Sequence, residues 1–197
     1  GKSGLLVTGL KAFETYQMTE AWTWEQQALI KARFITGDPA IQQGFEAIRK
    51  ESLCRERDLE SLRADIVEMR EKMREALGSK GNSVFNVKQD PGGIVDIEFL
   101  VQFGVLSLAH QRPDLVRWTD VVRLLESLSA AGFLTSDEAK RLKEDYCLYR
   151  EQVHRQALNE KKALIDPEAM SRNRADVRVI WTRHLGLKSE GNSPEFS

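Results

Sequence analysis

The sequence predicts an all-α fold: a bundle of about seven helices behind a short extended N-terminal segment. Three observations predict it. Apolar residues recur in steps of three and four through most of the chain. Gly, Asp-Pro and Thr-x-x-Glu signals fall where those stripes start and stop. Only "SGLLVTG", residues 3–9, looks extended. The 197 residues, 41% hydrophobic and 30% charged, suffice for one sizeable core.

Residues 21–36 read as the first helix, with Trp24, Ala28 and Ile35 inside and Gly37 after its end. Trp22 and Trp24 are two apart, so one is expected in the core and the other on a seam with another domain. Asp38-Pro39 is an N-cap and first helical residue for a helix running to about Cys54. The run "RKESLCRERDLE", residues 49–60, reads as a solvated helix end and connection. Leu59, Leu62, Ile66, Met69, Met73 and Leu77 then form one amphipathic face, ended by Gly78 and Gly81.

The stretch "KQDPGGIVDIEFLVQ", residues 88–102, needs more care. "IVDIEF" alternates apolar and acidic, as a strand does. The apolar run continues to His110 without a turn signal, too long for an ordinary strand. Ile94, Ile97, Val101, Gly104 and Leu108 mark one helical face; Phe99, Leu100, Phe103 and Leu106 mark a second. A helix surrounded by neighbours is therefore expected. At about 100° per residue, Asp96 and Glu98 diverge by about 200°, so a shared metal ion is disfavoured. Two readings stay open. The acids pair with Arg or Lys on adjacent helices, or the Gly92-Gly93 turn, the helix start and Lys88 receive a phosphate. The spacing of a P-loop is absent.

Trp118 to Ala131 is the next helix, stopped by Gly132. Thr135 and Glu138 form a capping box for a helix carrying Ala139, Leu142, Tyr146, Tyr149, Val153 and Ala157. Asp166-Pro167 announces a last helix with Trp181 and Leu185. Arg172, Arg174 and Arg178 make a basic patch on it, read as a salt-bridged surface.

Lys plus Arg number 29 and Asp plus Glu 30. A balanced chain argues against a general affinity for nucleic acid or membrane, though not against one local basic pocket. Cys54 and Cys147 are expected as reduced thiols. His110, His154 and His184 are too scattered for a zinc site. No apolar run reaches the roughly 18 residues of a membrane span, and no signal pattern precedes Leu5. The expected location is cytoplasmic.

Three blocks, "SGLLVTGLKAFETYQ", "AWTWEQQALIKAR" and "FNVKQDPGGIVDIEFLVQ", occur in this order. Together they resemble the bifunctional glutamine-synthetase adenylyltransferase family, also called glutamate-ammonia-ligase adenylyltransferase. The resemblance implies two homologous halves, each a nucleotidyltransferase core joined to a helical domain. The wording is closer to the adenylylating half; the deadenylylating half is the alternative. The family's Gly-Ser segment with a D-x-D pair is missing, since Gly78-Ser79 leads into "KGNSVF". "GKSG" at residues 1–4 resembles the segment that comes after the core's "LRP". Residues 1–9 are thus expected as an edge of the core, 10–187 as the helical domain, and 188–197 as a disordered tail or expression scar.

The resemblance implies a part of an enzyme that moves AMP from ATP to a tyrosine of glutamine synthetase. Mg²⁺ and ATP would serve the complete enzyme, with none bound by this fragment alone. No catalytic or metal-ligating residue is assigned here. Lys88, Gly92, Gly93, Asp96, Glu98, Lys2 and Ser3 are the candidates for contact with the nucleotide or the core. The implied partners are the core itself, glutamine synthetase and the PII signalling protein. A pure docking module for either protein is the alternative function. A self-sufficient metal enzyme using Asp96 and Glu98 is disfavoured by helical phase.

Overall fold

The computed structural model describes residues 7–81 and 83–186. Among them are eight α-helices: α1 (Leu10–Thr19), α2 (Thr23–Lys31), α3 (Pro39–Leu53), α4 (Leu59–Leu77), α5 (Ile94–Leu108), α6 (Val121–Ala130), α7 (Ser136–Leu158) and α8 (Ser171–Leu185). Short 3-10 turns cover Pro113–Val116 and Pro167–Met170. Two-residue strands β1 (Phe85–Asn86) and β2 (Leu164–Ile165) pair antiparallel, Phe85 against Ile165. The all-α expectation holds. Lys2 and Ser3, and most of the segment expected to be extended, lie outside the described residues.

The eighth helix is α1, which the sequence reading missed. It has no side-chain cap, and Gln17 is its only buried residue. Its stripe is short, so packing rather than propensity stabilises it. Phe13 stacks on Phe45 of α3 with ring centroids 6.0 Å apart.

Helix α5 is the centre of the bundle. Of its residues only Glu98 and Leu108 escape full burial. It packs against α2, α4, α6, α7 and α8. Its all-round apolar surface is the reason: a helix with no polar face lowers its free energy only by burying every side. The expected boundaries around it hold. Asp38 caps α3 through Ala40 N at 2.7 Å. Thr135 and Glu138 form their capping box. Asp166 caps the 3-10 turn that leads into α8.

Helix α2 corrects an expectation. It ends at Lys31 rather than Thr36, and Gln27, Leu29 and Ile30 are buried in place of Trp24, Ala28 and Ile35. Gln27 faces inward because its amide donates to Gln102 of α5 at 2.8 Å. That bond sets the helical phase and turns Trp24 outward. Neither Trp22 nor Trp24 is in the core; they are 70% and 47% exposed.

The charge run at residues 49–60 is also not simply solvated. Arg49 is buried and donates to Leu29 O (3.0 Å), Ile30 O (2.6 Å) and Val116 O (2.6 Å). The carbonyls at a helix C-terminus lack intrahelical partners, and a cation is favoured there. Arg49 therefore closes the end of α2 and ties it to the first 3-10 turn. Arg57 does the same for α3, donating to Leu53 O at 3.0 Å and Ser52 O at 2.7 Å. Arg49→Met keeps the volume and removes the donors. It should lower unfolding free energy by about 3 kcal/mol, since buried carbonyls are left unsatisfied. Urea unfolding measures this; a loss under about 1 kcal/mol would show that the carbonyls find other donors.

The basic patch on α8 is not salt-bridged. None of Arg172, Arg174 and Arg178 pairs with a carboxylate among the described residues. Arg174 instead lies over the Phe85 ring, 4.1 Å from its centroid, which explains why no carboxylate is needed. Cys54 and Cys147 are free thiols.

Candidate functional site: the Pro-Gly-Gly turn and the start of helix α5

The turn between β1 and α5 is held from below. Asp90 is buried, and its carboxylate accepts from Ser79 N and Asn86 N, each at 2.7 Å, and from the Ser79 hydroxyl. This fixes the loop after α4 to the turn before α5. Gly92 takes φ +85°, and a Cβ there would lie 2.6 Å from Arg174 O and 2.9 Å from Arg174 Cα. Gly93 is as tight: a Cβ would lie 2.5 Å from Val87 O. The two glycines let the turn press against α8 and against itself.

The amides at the start of α5 all have partners. Gly92 N donates to Asp96 Oδ2 at 2.7 Å. Gly93 N, Ile94 N, Val95 N and Asp96 N donate to the carbonyls of Asp90, Val87, Lys88 and Gly93. Asp96 thus occupies the position that an external anion takes at other helix starts.

Asp96 itself is 1% exposed and faces α4. Arg70 Nε donates to Oδ1 at 2.6 Å, and Arg74 Nη2 reaches both oxygens at 3.0 and 3.1 Å. Arg70 is fully buried and also donates to Gln89 O at 2.6 Å. Burial pulls the Arg70 pKa down, and the Asp96 carboxylate opposes that shift. Arg74 stacks over Trp181 of α8 at 5.5 Å. A single carboxylate therefore joins α4, the turn and α5.

Glu98 serves another face. Lys31 of α2 donates to it at 2.6 Å, and the Tyr146 hydroxyl of α7 at 3.4 Å. Burial and this acid push the Tyr146 hydroxyl above its ordinary value. Asp96 and Glu98 do not fit a shared Mg²⁺, because each is paired with cations on different helices. Among the described residues no group of three or more His, Cys, Asp or Glu is placed to hold a metal.

Of the candidate residues, Gly92, Gly93 and Asp96 lie beneath the surface and Glu98 is half-buried. Of the candidates among the described residues only Lys88 is exposed, and its ammonium has no partner among those residues. Asp90, Arg70 and Arg74 were missed by sequence reasoning. Arg70 did leave a signal: with Leu62 and Ile66 it continues a stripe of i+4 steps, so it is a charge in phase with apolar neighbours.

Large apolar side chains are also exposed in the first part of the chain. Val7, Tyr16, Trp22, Trp24, Ile35 and Ile41 are large apolar residues exposed on or beside α1, α2 and α3. No helix among the described residues is long and apolar enough to cross a membrane.

Fold and site together define a helical module in which both acids of α5 are tied into ion pairs. Comparison with known proteins gives its relatives. A family model described as Glutamate-ammonia ligase adenylyltransferase matches residues 1–48. One described as GlnD PII-uridylyltransferase matches residues 60–167, more than half of the chain. The bifunctional glutamine synthetase adenylyltransferase/adenylyl-removing enzyme of Methylococcus capsulatus is 51% identical over 181 residues, covering 92% of this chain and 19% of that protein. The protein of the same name from Pseudomonas putida is 45% identical over 199 residues, 95% and 20% of the two chains. That of Thioalkalivibrio sulfidiphilus is 47% identical over 183 residues, 93% and 19%. The chain belongs to the glutamine synthetase adenylyltransferase family, and its residues 60–167 to the family that the PII-uridylyltransferase model describes. It spans about a fifth of the length of the curated relatives it matches.

Proposed function

We propose that this chain is the helical part of an enzyme that transfers AMP from ATP to a tyrosine of glutamine synthetase. Its role is to seat a nucleotidyltransferase core and shape the nucleotide or protein-substrate site, in the cytoplasm. One observation carries this reading: the exposed apolar residues of α1–α3 fall within residues 1–48, the segment that matches the adenylyltransferase model. Six large apolar side chains exposed within one short segment suit a contact, and the rest of such an enzyme is the natural cover. Residues 1–9 would be the edge of that core, with Lys2 and Ser3 beside it, and residues 10–187 the helical domain.

The buried residues act by support. Asp96, Gly92 and Gly93 hold the turn rigid, and Lys88 projects from it as a free cation. There it would meet phosphate charge on the core. Glu98 steadies Lys31 on the face of α2 that also carries Trp24. Mg²⁺ and ATP would be bound by the core, since the carboxylates here are engaged elsewhere.

A second reading makes the module a docking surface for the PII signalling protein. It is favoured by the match of residues 60–167 to the PII-uridylyltransferase model. Pull-down of the 197-residue chain with PII and with glutamine synthetase separates the two.

Lys88→Ala in the complete polypeptide should leave stability within about 0.5 kcal/mol, because the side chain is exposed and unpaired. AMP transfer should fall by about tenfold, the effect of one lost charge contact of about 1.4 kcal/mol. Unchanged transfer and unchanged ATP affinity would remove Lys88 from the site.

A further inference from the structure

A groove of about 420 Å³ lies between the α2–α3 connection and the 3-10 turn at Pro113–Val116, away from the turn before α5. Four cations line it, Arg33, Arg49, Lys50 and Arg117, against one carboxylate, Glu46. The chain as a whole has a net charge of −1, so this concentration is local. Arg33, Lys50 and Arg117 are exposed, and none has a carboxylate partner among the described residues. Glu46 is turned along its own helix, where it accepts from Gln42 at 2.9 Å.

The buried side chain among the four is Arg49. Its three hydrogen bonds to Leu29, Ile30 and Val116 hold the guanidinium rigid. Each Nη still carries a second proton. Apolar walls stand beside the cations: Phe34 and Phe45, both half-buried, with Val116. Phe45 is braced from behind by Phe13. Unpaired cations around a fixed guanidinium suit a phosphate, and the aromatic walls suit a flat apolar group.

We propose that this groove binds a small organic phosphate, its phosphate on Arg33, Lys50 and Arg117 above Arg49 and its apolar part against Phe34 and Phe45. The site is separate from Lys88 and does not depend on the adenylyltransferase reading.

Trp118 provides the probe. Arg117 lies 4.6 Å and Arg123 4.3 Å from its ring centroid, so a ligand that engages Arg117 shifts the Trp118 indole N–H resonance. Titrate the 197-residue chain with AMP and with inorganic phosphate. AMP should bind at least fivefold more tightly than inorganic phosphate, because only AMP uses the phenylalanine walls. Lys50→Glu/Arg117→Glu should weaken AMP at least tenfold, and Lys50→Gln/Arg117→Gln by a smaller factor. Both pairs are exposed, so helical circular dichroism should be unchanged. Lys88→Ala should bind AMP as the parent chain does. The proposal is overturned if AMP binds no better than inorganic phosphate, if the double variants bind like the parent, or if Lys88→Ala is the variant that loses binding.

Discussion

Asp96→Ala should destabilise the protein by about 3–5 kcal/mol, the largest effect expected of any single substitution here. The reason is asymmetry. Arg70 and Asp96 are buried as a pair, with side chains 0% and 1% exposed. Removing the acid leaves a guanidinium in the interior with one carbonyl, Gln89 O, as its remaining hydrogen-bond acceptor. Gly92 N loses its acceptor too. Domains of this size are stable by only about 5–15 kcal/mol, so the loss is a large fraction of the whole. Asp96→Asn keeps one acceptor and should lose less. Arg70→Met combined with Asp96→Leu removes both charges and should recover much of the loss, because apolar replacement of a buried pair is often near neutral. Urea unfolding of the parent and these three variants ranks the losses. If Asp96→Ala loses under about 1 kcal/mol, water has taken over the role assigned to the carboxylate.

Gly92→Ala should cost about 3 kcal/mol and act at a distance in sequence. The residue sits at φ +85°, and its new Cβ would meet the backbone of Arg174, not a side chain that can rotate away. Positive φ costs an L-residue roughly 1–2 kcal/mol, and overpacking adds about 1–3. The strain falls on the contact between the turn and α8. Amide exchange should therefore rise first in residues 171–185, before α5 is affected. Equal exchange in α8 of both proteins would mean that the turn absorbs the methyl group by itself.

How far each element was legible in the sequence depends on the strength of its physical signal. Helix α5 was legible despite its strand-like start, because its apolar run exceeds what a strand can bury. The caps at Asp38, Thr135 and Asp166 were legible because their chemistry is local. Helix α1 was not, because its ten residues carry a weak stripe and depend on α3. The inward face of α2 was misread because a glutamine pair, Gln27 with Gln102, sets its phase; such pairs are invisible without the fold. The same holds for Arg49 and Arg57, whose acceptors are backbone carbonyls on distant or completed helices and, for Arg57, also the Gln26 side chain. At the candidate site, the divergence of Asp96 and Glu98 was evident from helical geometry. Their partners were not, apart from the hint of Arg70 in an apolar stripe.

In the proposed function, this chain completes an adenylyltransferase by seating a core on α1–α3. The direct measurement is AMP transfer from labelled ATP to glutamine synthetase by three proteins: the complete polypeptide, the same polypeptide lacking these 197 residues, and its Trp22→Ser/Trp24→Ser variant. Full transfer is expected of the first, loss in the second, and at least a tenfold reduction in the third with its helical content intact. Full transfer by the protein lacking the segment, or transfer by the 197-residue chain alone with ATP and Mg²⁺, would contradict it.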